Sequence, residues 1–254
     1  MGALDGRVAL VTGAGTGIGR AVAVDLVNAG AEVIVCGRRM EPLEETVSIM
    51  GSGSALSADL TEPDAIEGLA NTVVARHGGV DILVNNAGFS SKIRSARYIG
   101  AEEWRGVMDV NTMGPAMLTR ALLPSMVERE NGDVVMISSM AGLRPSIMAG
   151  VVYSAAKAAA RAYMDVLYQE VRAEGVRCTT IFPGEVDTPI LDNRALPPDA
   201  SKRALMMMPE DISAAVLMSV CLPRRATVTE LAIGATHPRD LSADVEAAKT
   251  KSAF

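Results

Sequence analysis

Short apolar runs alternate with longer stretches of helical spacing along this chain, and this alternation constrains its fold more than any other feature. The short runs have the length of strands and cover 8–11, 33–36, 55–58, 82–84, 134–137, 176–181 and 230–233. Apolar residues recur at helical spacing over 18–28, 65–76, 113–128 and 153–172. Helices that cross over between strands produce a parallel sheet. The sequence therefore predicts an α/β fold with a doubly wound, seven-stranded, mainly parallel sheet and helices on both faces.

The organisation of the chain is that of one domain. Its 254 residues contain no internal repeat, low-complexity tract or flexible linker, so the prediction is a single domain over 1–254. The segment 188–209, with prolines at 189, 197, 198 and 209, breaks the alternation after the sixth run. Ligands bind at the carboxyl ends of the strands in open α/β sheets. We therefore predict that 188–209 forms a loop or short helices that act as a substrate lid. Its Met206–Met208 run fits either an apolar pocket or the core.

Composition and charge exclude several classes of protein. Hydrophobic residues make up 49% and charged residues 21% of the chain, which predicts a folded core. The formal net charge of -6 argues against a nucleic-acid partner, because phosphate binding needs clustered lysine and arginine. No apolar run has the length of a membrane span, and the opening residues lack the features of a secretory signal. A cytoplasmic protein that binds neither membranes nor nucleic acids is expected.

The cysteines and histidines do not suggest a metal site. Cys36, Cys178 and Cys221 are widely spaced in apolar surroundings, so we expect all three to be reduced and inside strands or helices. His77 and His237 are the only histidines, and neither has cysteine or carboxylate residues near it at the spacing of metal ligands. No bound metal is expected.

A glycine-rich segment joins the first apolar run to the first helical stretch. Its glycines stand where a tight turn lets the backbone approach a pyrophosphate, whose charge the start of the next helix then stabilises. An ordinary glycine-rich turn is the alternative, but the strand before it and the helix after it favour a dinucleotide site of the Rossmann type. The candidate cofactor-binding residues in this segment are Gly13, Gly15, Thr16, Gly17, Ile18 and Gly19.

The end of the second run bears on which dinucleotide binds. A site for NAD usually has a carboxylate here that accepts a hydrogen bond from the ribose 2′-hydroxyl, whereas a 2′-phosphate needs cations. Gly37 stands at this place, Arg38 and Arg39 follow it, and the nearest carboxylate, Glu41, comes later. Two solvated arginines at the start of a surface helix are the alternative interpretation. We predict that NADP is preferred, with Arg38 as its ligand and NAD as the second candidate.

Tyr153 and Lys157 are the candidates for proton transfer. They stand at positions i and i+4 near the start of a helical stretch, so their side chains share one face. A tyrosine hydroxyl has a pKa of about 10, and a nearby ammonium group lowers that pKa because it favours the phenolate. The pair alone is a weak signal, because a tyrosine and a lysine at this spacing often have no function.

These segments resemble the short-chain dehydrogenase/reductase family, in its short single-domain branch. The resemblance covers about residues 5–190 and rests on motifs in the order seen in the family: 12–19, Asp59, Asn85 to Gly88, Asn111, 137–139, Tyr153 to Lys157, and Pro183 with Gly184. It implies an NAD(P)-dependent oxidoreductase that interconverts a carbonyl and an alcohol by hydride transfer, with a tyrosine as the acid or base. Its partner would be a small-molecule carbonyl or alcohol.

The resemblance also implies catalytic roles for individual residues. Ser139 would polarise the substrate oxygen, and Tyr153 would exchange the proton. Lys157 would lower the pKa of the tyrosine and contact the nicotinamide ribose, and Asn111 would hold a water molecule that relays protons. The loop from Ser139 to Tyr153 is one residue longer than is usual in the family. We prefer Ser139 to Ser138 because a glycine, at position 142, follows it at the spacing usual in the family.

The remaining contacts implied by the resemblance are with the cofactor. Asp59 and Leu60 would lie against the adenine. The cleft would be lined by Asn86, Ala87 and Gly88. The nicotinamide carboxamide would be held by Pro183, Gly184, Val186 and Thr188, and the ribose next to it by Tyr153 and Lys157.

Two functions compete with the oxidoreductase interpretation. A non-catalytic dinucleotide-binding sensor or scaffold could use the same fold, but it would have no need of Ser139, Tyr153 and Lys157. A sugar-nucleotide epimerase or dehydratase is the other, although such proteins are typically longer and have a different glycine spacing.

The expected assembly is a homodimer or homotetramer. The family resemblance implies it, and the helices after Asn111 and from Tyr153 carry many small residues, which allow helices of two subunits to approach closely. Isologous contacts across two-fold axes are the usual way in which soluble proteins of one chain type assemble.

Overall fold

Seven strands form one sheet in this protein. The structure describes residues 2–250, apart from the side chain of Asn193. The structure is a computed structural model. The strands are β1 (Val8–Thr12), β2 (Glu32–Gly37), β3 (Ser54–Ser57), β4 (Ile82–Asn85), β5 (Gly132–Ile137), β6 (Val176–Pro183) and β7 (Glu230–Ile233). Each pair of neighbours is parallel. The predicted α/β fold and its strands are confirmed, and the sheet is wholly rather than mainly parallel.

Helices connect the strands. They are α1 (Gly17–Asn28), α2 (Met40–Met50), α3 (Pro63–His77), α4 (Ala101–Met108), α5 (Gly114–Glu128), α6 (Met140–Leu143), α7 (Val151–Val171), α8 (Ala200–Arg203), α9 (Pro209–Cys221) and α10 (Ser242–Ala248). A π-helical turn, Asp109–Met113, joins α4 to α5, and 3-10 turns occupy Arg172–Glu174 and Pro189–Asn193. The helical stretches predicted from periodicity correspond to α1, α3, α5 and α7.

The two faces of the sheet are covered by different helices because side chains alternate along each strand. In β1, Ala9 and Val11 pack in one core with residues of α1, α2 and α9. Leu10, between them, packs in a second core with residues of α3, α5 and α7. All three side chains are fully buried. β1 is therefore apolar on both faces, and the sheet is doubly wound as predicted.

The strand order places a crevice at one edge of the sheet. It reads β3-β2-β1-β4-β5-β6-β7, so the chain winds outward in one direction from β1 and in the other direction from β4. Connections that diverge in this way leave a gap between the carboxyl ends of the two central strands. A ligand site is expected at that gap.

The segment after β6 folds back on itself. An isolated parallel bridge joins Val186 to Met207, and Arg203 of α8 forms an ion pair with Asp187 at 2.5 Å. Met206 and Met207 are buried, whereas Met208 is exposed. The segment thus contains the short helices that were predicted, and two of its methionines lie in the interior. Its action as a lid stays a prediction.

The cysteines differ in their surroundings. Cys36 in β2 and Cys178 in β6 are buried free thiols, and burial raises the pKa of each to about 12. Cys221 is a free thiol as well, but it is exposed because it is the last residue of α9. The prediction that all three lie in apolar interiors is therefore wrong for Cys221.

Residues 2–250 contain neither a candidate membrane span nor a candidate metal cluster. No helix in that range is both long and apolar enough to cross a membrane. Nor does any group of three or more His, Cys, Asp or Glu side chains there have the arrangement of a metal site. His77 instead lies 3.2 Å from a carboxylate oxygen of Glu32, and His237 is exposed.

Candidate active site

A cleft of about 410 Å³ opens at the carboxyl ends of the strands. It is lined by segments that follow β1, β4, β5 and β6, which is where the strand order places the crevice. The sequence-predicted residues that line it are Gly13, Thr16, Gly17, Ile18, Asn86, Ala87, Gly88, Asn111, Ser139, Tyr153, Lys157, Pro183, Gly184, Val186 and Thr188. Those outside its lining are Gly15, Gly19, Arg38, Asp59 and Leu60.

The glycine-rich segment from the end of β1 into α1 needs glycine at three places, one of which is Gly17, with a φ of +54°. Gly13 has a φ of +64°, and a Cβ there would lie 2.8 Å from the Cα of Ala87. A Cβ on Gly19 would lie 2.5 Å from both the carbonyl oxygen of Gly13 and the Nδ2 of Asn86. Thr16 caps α1 without a side-chain hydrogen bond, so the N–H groups of the first turn have no side-chain partner from the cap. This loop is a cradle that fits a pyrophosphate.

Side chains at the ends of β1 and β4 hold that loop in place. Thr12 Oγ1 accepts hydrogen bonds from the backbone N–H groups of Asn86 and Ala87, both at 3.0 Å. Asn86 Nδ2 donates to the carbonyl oxygens of Thr12 and Gly13, at 2.9 and 3.2 Å. Asn86 therefore ties the two central strands together in addition to lining the cleft.

The outer side of the loop rests on α2. Thr46 Oγ1 donates to the carbonyl oxygen of Ala14 at 2.9 Å, and Arg20 Nε donates to Thr46 Oγ1 at 3.1 Å. Arg20 also donates to the carbonyl oxygen of Gly15 and pairs with Glu45 at 2.7 Å. The sequence carries no signal for Thr46, because its partner stands 32 positions away and no motif links the two.

The two serines at the end of β5 have different surroundings. Ser138 is buried, and its Oγ donates to the carbonyl oxygen of Lys157 at 3.1 Å. Ser139 borders the cleft, accepts a hydrogen bond from the N–H of Ala141 at 3.2 Å, and lies close enough to the Tyr153 hydroxyl to act on its pKa. A Cβ at Gly142 would lie 2.7 Å from the Lys157 carbonyl oxygen, so α6 packs directly on α7. The structure thus brings Ser139, and not Ser138, to Tyr153.

Lys157 lies beneath the ring of Tyr153 on α7. Its Nζ is 5.6 Å from the ring centroid and donates to the carbonyl oxygen of Ile137 at 3.0 Å. The side chain is buried, and burial lowers the pKa of Lys157 to about 8 because the charged form loses its solvation.

The hydroxyl of Tyr153 is more weakly acidic than the sequence suggested. Burial raises the pKa of Tyr153, and this effect outweighs the hydrogen bond with Ser139 and the positive charges of Arg94 and Arg194, which act to lower it. The predicted fall of the tyrosine pKa is therefore wrong for this cleft, because desolvation dominates. The cations that oppose desolvation here are two arginines that no motif had singled out.

Asn111 lies in the π-helical turn between α4 and α5, a geometry that is frequent at functional sites. Its Nδ2 donates to the carbonyl oxygens of Phe89 and Val107, both at 2.9 Å. Its Oδ1 is buried and has no hydrogen-bond partner within the described residues. A Cβ on Gly88 would lie 2.6 Å from this Oδ1 and 3.4 Å from Lys157 Nζ. The missing side chain of Gly88 therefore leaves space beside the unpaired acceptor and the lysine.

The residues predicted to bind the adenine half lie beyond the ends of β2 and β3. Arg38 is exposed, and within residues 2–250 no carboxylate lies at ion-pair distance from it. Asp59 Oδ1 accepts hydrogen bonds from the N–H and hydroxyl groups of Thr61, at 3.0 and 2.9 Å. Leu60 is buried against Gly114 of α5. Arg38 is thus available for an anion, whereas Leu60 is packed into the protein.

Positive charge predominates in the lining of the cleft. The charged residues there are one carboxylate, Glu185, and the four cations Arg94, Arg144, Lys157 and Arg194. Arg194 pairs with Glu185 at 2.6 Å, and Arg239 bonds both Glu185 oxygens at 2.7 Å. The arginines stand in no motif, and Glu185 was not a candidate although it lies between Gly184 and Val186, so sequence reasoning missed all of these residues except Lys157.

Comparison with known proteins decides the family. The model of the short chain dehydrogenase family matches residues 7–198. The chain belongs to this family. An uncharacterized oxidoreductase of Staphylococcus aureus strain USA300 is 35% identical to this short-chain dehydrogenase over 237 residues, which cover 92% of this chain and 99% of the relative.

Solved structures resemble this short-chain dehydrogenase over almost its whole length. A metagenomic short-chain oxidoreductase in complex with NADP has a TM-score of 0.80 and 30% identity, and the match covers 93% of this chain and 100% of the other. The closed form of a serine dehydrogenase complexed with NADP+ has a TM-score of 0.82 and 34% identity, with 89% and 94% covered. The predicted family and the general role of an oxidoreductase that acts on small molecules are confirmed.

Proposed function

We propose that this short-chain dehydrogenase interconverts a ketone or aldehyde with an alcohol and uses NADP(H) in preference to NAD(H). The observation that carries the proposal is that Ser139 and Tyr153 line the same cleft as the glycine-rich loop, with the buried Lys157 beneath the tyrosine ring. When bound, the nicotinamide would supply or accept the hydride. The two related structures that hold NADP support this choice of cofactor.

Two hydroxyl groups would act on the substrate oxygen. Ser139 would donate a hydrogen bond that holds the oxygen in place, and Tyr153 would give it a proton. Donors fixed in advance around an oxygen stabilise the negative charge that develops there in the transition state. Because burial raises the pKa of Tyr153, its hydroxyl is protonated at neutral pH, which is the state that carbonyl reduction requires. Alcohol oxidation requires the phenolate, which the charges of Arg94 and Arg194 favour.

Lys157 and Asn111 would return a proton to the tyrosine. With a pKa of about 8, the Lys157 ammonium group exchanges protons readily near neutral pH. The unpaired Oδ1 of Asn111 lies on the other side of the space that Gly88 leaves open. A water molecule in that space would satisfy the buried acceptor and connect it to the lysine.

The decisive experiment is turnover. The purified protein is mixed with NADPH and each of a panel of small aldehydes and ketones. The absorbance of NADPH should fall over time as the carbonyl is reduced. Tight binding of NADPH without turnover of any carbonyl or alcohol would instead indicate the sensor or scaffold function. A cytoplasmic location stays a prediction from the sequence.

Replacing Arg38 with alanine should weaken NADP binding and have little effect on NAD. Charge-assisted hydrogen bonds to a phosphate contribute about 1.5 to 3 kcal/mol, so the dissociation constant for NADP should rise about ten- to a hundredfold. The guanidinium is exposed and has no competing carboxylate nearby in the described chain, so it is available to bind the 2′-phosphate. Fluorescence titration with both cofactors measures the effect.

The neighbouring arginine is a matched control for that measurement. Arg39 has the same charge, is also exposed, and begins α2 as its cap residue. Arg39→Ala should change NADP affinity much less than Arg38→Ala. Equal kcat/KM for NADP and NAD in the wild type, or equal losses in the two variants, would show that Arg38 does not select the cofactor.

We also propose a homodimer or homotetramer assembled through α5 and α7. Apolar side chains are exposed on and beside these helices, namely Met113, Met117 and Val166, the last with 63% of its surface exposed. Light scattering at micromolar concentration should give a mass of two or four chains, and Val166→Asp should lower it. Val74→Asp, which places the same charge on α3, is the control and should leave the mass as it is. A monomeric wild type would contradict this assembly.

A further inference from the structure

Arg94 is a buried cation in the wall of the cleft. It lies in the segment between β4 and α4, with 6% of its surface exposed, and borders the cleft together with Tyr153. Its Nη1 donates to Ser90 Oγ and, at 2.7 Å, to the carbonyl oxygen of Ala149. No carboxylate within residues 2–250 lies at ion-pair distance from it. Its charge therefore has no counter-ion from the described chain.

The other arginines in the lining of the cleft are neutralised or solvated. Arg194 is paired with Glu185 at 2.6 Å, and Arg144 is exposed to solvent. The carboxylate of Glu103 acts on Arg94 only from a distance, because its Oε1 accepts hydrogen bonds from Ser91 Oγ and from the backbone N–H groups of residues 92 and 93. Arg94 is thus the arginine of the cleft wall that neither solvent nor a carboxylate compensates; the other buried cation, Lys157, lies beneath Tyr153 and donates to the carbonyl oxygen of Ile137.

A buried cation without a partner is unfavourable. Burial and, to a smaller extent, the nearby charge of Arg194 lower the pKa of Arg94 to about 10. Proteins rarely bury a charge unless it is paired or binds something. An arginine that served only to brace the loop through its bond to Ala149 would not need its charge, since a neutral amide could donate the same hydrogen bond.

We propose that Arg94 binds a carboxylate of the substrate, so that the preferred substrates are small oxo acids and the corresponding hydroxy acids. The inference rests on the proposed function, because it concerns the same cleft and the same reaction. Arginine presents a planar pair of donors that matches a carboxylate, and the charge of Arg94 is then neutralised when the substrate binds. Its position beside Tyr153 places the carboxylate near the oxygen that receives the proton.

The phosphates of the cofactor have their own binding groups elsewhere. The cradle for a pyrophosphate is the start of α1, and the candidate for a 2′-phosphate is Arg38 beyond the end of β2. Arg94 instead contacts Ser90 and Ala149, and its side chain packs on Gly150 at the start of α7. It belongs to the half of the cleft that holds Tyr153, which is where the substrate must bind.

The test compares acids with uncharged analogues of the same carbon frame. Acetoacetate and pyruvate are assayed against their methyl esters with NADPH, in the wild type, in Arg94→Gln and in Arg94→Lys. The wild type should favour each acid over its ester by at least about tenfold in kcat/KM, mainly through KM. Arg94→Gln should lower this ratio about ten- to a hundredfold, and Arg94→Lys should lower it less, because it keeps the charge but loses the fork of donors.

A second arginine of the same loop is the control. Arg97 is exposed and lies outside the cleft lining, so Arg97→Gln should keep the preference of the wild type for acids. If Arg94→Gln fails to fold, inhibition of the wild type decides: butyrate should compete with the carbonyl substrate, and butyramide should not.

The outcomes separate this inference from the proposed function. If NADPH is oxidised as rapidly with esters as with acids, or faster with dihydroxyacetone phosphate than with both, the proposal of a substrate carboxylate is overturned. The proposed oxidoreductase activity would still stand. An acid preference that survives in Arg94→Gln would overturn the role of this residue. Absence of turnover with every carbonyl, while butyrate still binds, would overturn the proposed reaction and keep the anion site.

Discussion

Replacing Tyr153 with phenylalanine should lower turnover about a hundred- to ten-thousandfold, the usual contribution of a positioned general acid. The phenyl ring fills the same space over Lys157 but has no proton to give. The loss should appear in kcat, because the Ser139 hydroxyl and the rest of the cleft still hold the substrate. Turnover with NADPH and a reactive carbonyl measures the change, and fluorescence titration should show NADPH affinity close to that of the wild type.

A matched pair of serine variants tests the same geometry. Ser139→Ala removes the hydroxyl that contacts Tyr153, and Ser138→Ala removes one that bonds only a backbone carbonyl. The first should slow turnover strongly, and the second should act mainly on stability. A Tyr153→Phe enzyme that kept turnover within about tenfold of the wild type would exclude this tyrosine as the acid.

Replacing Asp133 with alanine should destabilise the protein by about 3 to 5 kcal/mol, because it leaves buried arginine charge without a partner. Asp133 is the second residue of β5, near the amino end of that strand, and its side chain is 4% exposed. It pairs with Arg177 at 2.6 Å, Arg7 at 2.5 Å and Arg224 at 3.2 Å. The Arg177 side chain is 5% exposed, so solvent compensates little of its charge when its partner is removed.

The measurement is the midpoint of thermal unfolding. For a chain of this size each kcal/mol lowers that midpoint by about 2 to 4 °C, so a fall of about 6 to 20 °C is expected. Glu67→Ala is the control, because Glu67 pairs with Arg120 where both side chains are about half exposed or more. An exposed pair contributes about 0 to 1 kcal/mol. Equal falls of the midpoint in the two variants would mean that the buried Asp133 cluster stabilises the protein no more than the exposed pair of Glu67 and Arg120.

Much of this architecture was predictable because it depends on local pattern. The strands, the crossover helices and the glycine-rich loop each leave a periodic or compositional trace in the residues that form them. The resemblance to a known family then predicted that Ser139, Tyr153, Lys157 and Asn111 belong to one catalytic site. These residues do line one cleft, although their chemical roles stay proposals.

The rest depends on contacts between residues far apart in the chain. Nothing near Arg94 in the sequence indicates that it bonds Ala149, and nothing near Glu185 indicates that Arg239 will bond it. The direction of the Tyr153 pKa shift was misjudged for the same reason. The sequence shows Lys157 four positions after Tyr153, and its ammonium group was expected to lower the tyrosine pKa. The amount of protein packed around the Tyr153 hydroxyl depends on the whole fold.

The strand order also fixes the sequence of events while the ribosome makes this chain. Because β1, β2 and β3 pair only with one another and with β4, the cradle for the pyrophosphate is complete in its strands once residue 85 has emerged. Tyr153 and β6 follow much later, and β7 closes the far edge last of the seven strands. Domains generally fold as units, and the core beneath the cradle also contains residues of α9. A nascent chain therefore completes the support of its nucleotide cradle only after Tyr153 and β6 have been made.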